Sequence, residues 1–232
     1  MDSSADIYLP PNFDEKKKYS AIVSTHPIGS CKEQTSGNIY GAALAKEGFV
    51  VIAFDASFQG ASGGSPRFIE DPSIRTSDIR FAIDYLVTLP YVDENRIGAI
   101  GVCGGGGYTI HAAITDHRIK ALTSITGVNF GRLIREGFSN FDPVAALEKM
   151  GKQRTAEVQG AERNVINYLP PSVEQGKKSG ITDIDVLEAT DYYKTPRGQK
   201  PHGATSGLFS FNSAAMGWMR SCTPRCCSRS RS

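Results

Sequence analysis

The run Gly101-Val102-Cys103-Gly104-Gly105-Gly106-Gly107 sets a thiol where it can do nucleophilic chemistry. A β-rich stretch precedes it and a helical stretch follows, so Cys103 is expected in a tight strand-to-helix turn of the form G-x-C-x-G. Such a turn holds its central residue in a strained backbone conformation, at about 1–3 kcal/mol. Gly101 and Gly105 leave room for it to close. The following helix aims the positive end of its dipole at the sulfur, which favours thiolate over thiol. The amide of Gly104 is then placed to donate to a developing oxyanion. A second donor is expected from His26-Pro27-Ile28-Gly29, with the Ile28 or Gly29 amide as candidate and His26 shaping the loop. A tetrahedral adduct on sulfur expels its better leaving group, so against an alkoxide or amine the thiolate leaves first and the enzyme reverts, whereas against a thioester or enol-lactone leaving group the contest is even. Activated acyl substrates are therefore expected.

Two other readings of the glycines exist. A Gly-rich turn can cradle a dinucleotide pyrophosphate, but that fingerprint wants G-x-G-x-x-G in an early βαβ unit and an acid ending the next strand. Here Cys103 interrupts the pattern and Thr126-Gly127 ends the next strand run. Alternatively Cys103 is core packing, although four consecutive glycines at a helix start are costly unless something must approach closely.

The elements that must hold this turn are legible as alternating patterns over residues 1–130. Short β-rich runs cover 21–25, 49–54, 96–102 and 120–125, and their continuous apolar character predicts strands buried on both faces of a parallel sheet. Helical patterns cover 38–46, stopped by Gly48, then 73–88 and 105–115. In the second, Ile79, Ile83, Leu86 and Val87 share a face, Ser73 is the expected cap and Pro90 lies just beyond the end. This predicts an α/β fold with right-handed crossovers. Asp6-Ile7-Tyr8-Leu9 reads as a further strand whose expected hairpin partner is absent.

Residues 131–215 lack convincing strand runs and read as a helical lid or insertion, with helical stretches over 142–153 and 154–168. Residues 216–232 form an aberrant basic tail expected to be disordered. Of the last 14 residues, 11 are Arg, Ser or Cys. Back-translation with one base inserted after the Trp218 codon permits an amphipathic helix there, so a frameshifted tail on a truncated product is expected. Cys222, Cys226 and Cys227 lack the matching ligand pair of a zinc site.

At 232 residues, with 40% hydrophobic and 22% charged side chains, the composition excludes a wholly disordered chain. A net charge of +2 gives no argument for nucleic acid. No apolar run nears the roughly 18 residues that cross a bilayer, and the first six residues lack signal-peptide character. A cytoplasmic protein with reduced thiols is expected, with no cofactor, metal, nucleic acid or membrane partner.

The elbow Gly101-Val102-Cys103-Gly104-Gly105 resembles that of dienelactone hydrolase, an α/β-hydrolase with a Cys nucleophile. The stretch T-H-P-I-G-S-C-K-E from Thr25 to Glu33 is similar to the fungal polyketide transferase or thiohydrolase family and its bacterial hydrolase relatives. Phe54-Asp55 through Gly60, Gly63-Gly64, Pro66 and Tyr108 carry the same likeness. It spans roughly residues 6–215, specific in the first half and loose in the lid. It implies an α/β-hydrolase fold with a helical lid and a truncated C-terminal part, Cys103 as nucleophile, Gly104 and Ile28 as oxyanion donors, and Gly29 and Tyr108 at the substrate. It further implies release or transfer of small-molecule or carrier-protein-bound polyketide acyl chains in secondary metabolism or toxin pathways, with a homodimer as a candidate assembly. Some relatives work in peroxisomes, but Ser230-Arg231-Ser232 does not match an S-K-L address. The family's triad runs nucleophile, acid, His. None of His26, His111, His117 and His202 follows a strand in the required place, and no triad acid is identified, so a catalytically inactive remnant is the competing reading.

Overall fold

The computed structural model describes residues 2–136 and 142–218. Of the expected tail, residues 219–232, with the frameshift and the three cysteines, lie outside the described residues, while Met216 and Trp218 are not disordered but buried, because Trp218 packs on Tyr108 and His111. Five strands, β1 (Ala5–Tyr8), β2 (Tyr19–Thr25), β3 (Val50–Phe54), β4 (Val92–Val102) and β5 (Ile119–Ile125), form one sheet in the order β1-β3-β2-β4-β5. β2 to β5 are parallel, and β1 runs antiparallel to β3 with Ile7 opposite Ile52. This is the mostly parallel sheet with flanking helices expected of an α/β-hydrolase.

Four details differ from the expectation. β1 does not await a hairpin partner, because the buried run of β3 takes it as a neighbour. β4 begins at Val92, since Tyr19 reaches past the 96–102 run to pair with it. β3 is buried along its whole length, but Lys120 to Ser124 of β5 are exposed, because no described strand lies beyond β5. Val87 also lies outside the buried face of its helix.

That helix, α2 (Pro72–Thr88), follows a π-turn at Thr35–Gly41 and the short α1 (Ala42–Lys46). Its cap is Asp71 rather than Ser73: the carboxylate accepts from the amides of Ser73 at 2.8 Å and Ile74 at 3.4 Å, and Pro72 needs no acceptor at the first helical position. Ile79, Ile83 and Leu86 are fully buried against the sheet core. α3 (Gly104–Thr115) starts at Cys103 and packs on α2, β4 and β5.

The strand order fixes where a site can form. The chain leaves β2 toward β3, then crosses back past β2 to β4 and on to β5. With right-handed crossovers, α1 falls on one face and α2 and α3 on the other. β2 and β4 therefore flank the switch point where a crevice opens beyond the strand ends. Thr25 pairs with Gly101 there, so the loop after β2 and the turn after β4 emerge side by side.

The remaining described chain covers this crevice with α4 (Phe130–Glu136), α5 (Pro143–Val158), α6 (Val173–Lys178), α7 (Ile184–Lys194) and α8 (Ser213–Met216). The expected second helix over 154–168 is not formed. α5 continues only to Val158, and the β-branched Val165-Ile166 enter β6 (Val165–Asn167), paired antiparallel with β7 (Ser206–Leu208). No described helix is long and apolar enough to cross a membrane.

A methyl group at Gly105 would sit 2.5 Å from the Thr25 carbonyl oxygen and 2.6 Å from that of His26, both backbone, whereas Gly151 in α5 has nothing within 4 Å. Gly105→Ala is expected to lower the unfolding free energy by about 1–3 kcal/mol. Gly151→Ala should raise it by roughly 0.5–1 kcal/mol. Urea titration of both variants checks the pair.

Candidate active site

Cys103 occupies φ 56°, ψ −123°, a left-handed conformation that an L side chain rarely adopts. The turn is held on three sides. The Cys103 amide donates to the Ile125 carbonyl at 2.9 Å, and its own carbonyl accepts from Gly106 at 3.0 Å and Val128 at 2.9 Å. Two further cavity residues, Thr126 (φ 45°) and Thr205 (φ 50°), are also left-handed, and strain of this kind collects at binding sites. The backbone amides of Gly104 and Ile28 lie beside the Cys103 sulfur and favour its thiolate. Burial pushes the thiol pKa up, the two amides pull it down, Glu70 pushes up and Arg75 pulls down; the net direction is up.

The loop carrying Ile28 rests on a buried polar frame. His26 Nε2 accepts from the Ala56 amide at 3.1 Å, so the ring proton sits on Nδ1 and donates to the Pro27 carbonyl at 2.7 Å. Burial, then the charge of Arg75, holds His26 well below the ordinary histidine pKa, hence neutral. Arg75 donates to the His26 carbonyl at 2.5 Å and lies 3.4 Å from Glu70. Glu70 in turn accepts from the Tyr108 hydroxyl at 2.7 Å, the Gly29 amide at 3.4 Å and the Gln59 side chain. His26 thus shapes the loop, as expected. Glu70 and Arg75 escaped the sequence reading. Their one signal is Arg75 itself, a charge four residues before Ile79 on the apolar face of α2.

Cys103 opens onto a largely apolar cavity of about 1420 Å³, walled by Ile28, Val128, Phe130, Leu133 and Met150, and by Tyr168, Leu187 and Tyr193 among others. Cys103 and Ile28 line it, while Gly104 lies just behind. Gly29 and Tyr108, expected at the substrate, do not line it. Gly29 has φ 65° and gives its carbonyl to the Thr205 amide at 2.7 Å. Tyr108 is fully buried, its hydroxyl taken by Glu70 and its ring under Arg75 at 5.1 Å. Both support the site from behind.

No histidine lines the cavity among the described residues. His111 lies against Thr76 and Trp218, and His117 and His202 are exposed. The carboxylates at the cavity, Asp185, Glu188 and Asp191, belong to α7. Elsewhere Cys31, Glu33 and Asp55 bring three potential metal ligands within 4.8 Å of one another. Lys32 already supplies a cation there: its ammonium bonds Glu33 and stands 3.8 Å from Asp55 and 3.7 Å from Asp6. Burial pulls the Lys32 pKa down, but these carboxylates outweigh it and leave it raised.

The chain matches the PET hydrolase-like family model over residues 3–136. It is 47% identical over 202 residues to the uncharacterized protein YcjY of Escherichia coli, covering 85% of this chain and 64% of that one. The crystal structure of the hypothetical protein PA2218 of Pseudomonas aeruginosa superposes with a TM-score of 0.80 at 33% identity, over 92% of this chain and 66% of that one. The chain therefore spans less than two-thirds of the length of such relatives. The fungal likeness is more distant: 34% identity over 107 residues to the thiohydrolase aneE of Aspergillus aculeatus, covering 45% of this chain and 33% of that one. With its parallel sheet, its strained turn and the family match over more than half its length, the chain belongs to the PET hydrolase-like family of α/β-hydrolases.

Proposed function

We propose that the protein is a thioester or ester hydrolase, or an acyl transferase, in which Cys103 is the nucleophile. The observation that carries this reading is the left-handed Cys103 at the strand-to-helix turn, facing an apolar cavity beside Ile28, with the Gly104 and Ile28 amides favouring its thiolate. The thiolate attacks the acyl carbonyl, a C–S bond forms, and the π pair moves onto oxygen. The two amides beside the sulfur are then placed to donate to that oxyanion. Collapse restores the carbonyl, breaks the bond to the leaving group and leaves the acyl chain on Cys103. Water or an acceptor releases it in a second step.

The wall residues suit a bulky, mainly apolar acyl group such as a polyketide-type chain, because the cavity exceeds the roughly 300–1,000 Å³ of common small-molecule sites. The fungal thiohydrolase and the polyketide transferase claH of Penicillium crustosum, 25% identical over 161 residues, point to the same chemistry and to a role in secondary metabolism. A second reading is acylation without turnover, as in an inactive remnant. It is favoured by a cavity whose described lining offers no histidine to activate water.

Incubation with an activated aryl thioester should place an acyl group on Cys103, located by peptide mass mapping and told apart from any on Cys222, Cys226 or Cys227, and Cys103→Ala should remove that adduct. Buried Cys31 should remain unmodified. Because the folded Cys103 pKa is raised, thiolate is scarce at neutral pH. Labelling should therefore accelerate about tenfold per pH unit through neutrality and keep rising beyond the ordinary thiol value of about 8.5. Absence of an adduct at every pH would overturn the nucleophile assignment, and repeated turnover would overturn the second reading. Leu133→Trp, which fills part of the cavity, should slow labelling by a long acyl chain about tenfold or more relative to an acetyl donor. Equal slowing of both would remove Leu133 from the acyl wall.

A further inference from the structure

Ile28 reaches the sulfur from a loop, so something must hold that loop. Part of the support is the Glu70–Arg75 frame beneath it. The other part comes from above. The Gln34 side chain is fully buried at the seam between loop and lid. Its Oε1 accepts from the Ser30 hydroxyl at 2.7 Å and from the Cys31 amide at 3.1 Å, which closes the loop on itself. Its Nε2 donates to the Gly198 carbonyl at 2.8 Å, beyond the end of α7. A second bond crosses the same seam, from the Thr205 amide to the Gly29 carbonyl at 2.7 Å. The lid turn lies flat on the Gln34 amide: a methyl at Gly203 would be 2.6 Å from Nε2.

We infer that Gln34 is a positioning residue whose buried amide couples lid segment 198–205 to the loop carrying Ile28, so that the oxyanion site is complete only when the lid is seated. This rests on the reading of Cys103 as nucleophile. The geometry separates two jobs within one side chain. The oxygen organises the loop, and the nitrogen alone binds the lid. Tyr193 supports the same contact more loosely, its hydroxyl 3.5 Å from Thr35 Oγ1. Burial holds the Tyr193 hydroxyl protonated, with its pKa raised to about 12.

Gln34→Glu tests the coupling. A carboxylate keeps the oxygen contacts but cannot donate to the Gly198 carbonyl, whereas a protonated carboxyl can. Single-turnover acylation of Cys103 by an aryl thioacetate, too small to need the acyl cavity, should fall about 10- to 100-fold at pH 8 relative to wild type. The variant-to-wild-type ratio should recover as pH drops toward 5. Gln34→Met, which has no donor at any pH, should stay slow throughout, and Gly203→Ala, with Gln34 intact, should show a milder loss.

A folded Gln34→Glu protein with a flat ratio near one would overturn the inference and leave the nucleophile standing. If wild type forms no adduct at Cys103, the functional reading fails instead. Hydrogen exchange at the Thr205 amide then decides the coupling. Faster exchange than wild type at pH 8 but not at pH 5 supports it, and exchange identical to wild type at both pH values ends it.

Discussion

Everything at the site depends on one piece of register: Thr25 of β2 lies beside Gly101 of β4. Parallel neighbours end at the same edge of the sheet, so the two chains that leave them must share space. One leaves through Pro27 and Ile28, the other through Cys103 and Gly104. Neither loop alone could put two amides on one sulfur. A slip of one residue would also turn the alternating side chains of β4 to the other face, so the core that fixes the register fixes the site as well.

Close quarters explain the glycines. α3 begins directly under the end of β2, and Gly105 faces two backbone carbonyls of that chain. The run is therefore a steric requirement of the crossing, and the left-handed Cys103 is its consequence. The conformation persists because the surroundings over-determine it. β5 and the Val128 segment pin the backbone of Cys103, while the Glu70–Arg75 pair and neutral His26 pin the facing loop. A buried ion pair is weak evidence for stability. Here two of its hydrogen bonds end on the His26 carbonyl and the Gly29 amide, either side of Ile28, so the pair holds the geometry of the loop.

The sheet and the strained turn were legible because each depends on near neighbours in sequence. β3 reads as a continuous apolar run, and the Cys103 elbow announces itself by glycine spacing. What was illegible depends on distant partners. Tyr108 looked available to substrate because nothing local shows that Glu70, 38 residues earlier, consumes its hydroxyl. Gln34 gave no sign, since its amide is satisfied by Gly198, 164 residues away. The three-residue strands β6 and β7 are too short for a period of two to emerge, and they exist through each other. β5 erred in the opposite sense. Its apolar run suggested burial on both faces, but exposure is decided by what lies beyond it in the sheet.

The cavity sets two demands on the thiol that oppose each other. An apolar wall binds an acyl chain by excluding water, and the same exclusion disfavours the thiolate, which is why burial is the largest influence on Cys103. Two amides offset part of that effect but do not reverse it. A chain entering the cavity displaces more water and strengthens both terms. If Cys103 attacks as proposed, the rate comes mainly from what the amides do for the oxyanion, a charge that exists only after attack. Such a site discriminates by leaving group: a poor one returns the adduct to thiolate, and a thiolate or enolate does not. For the proposed nucleophile, the setting of the sulfur, rather than its basicity, would direct the chemistry toward activated acyl donors.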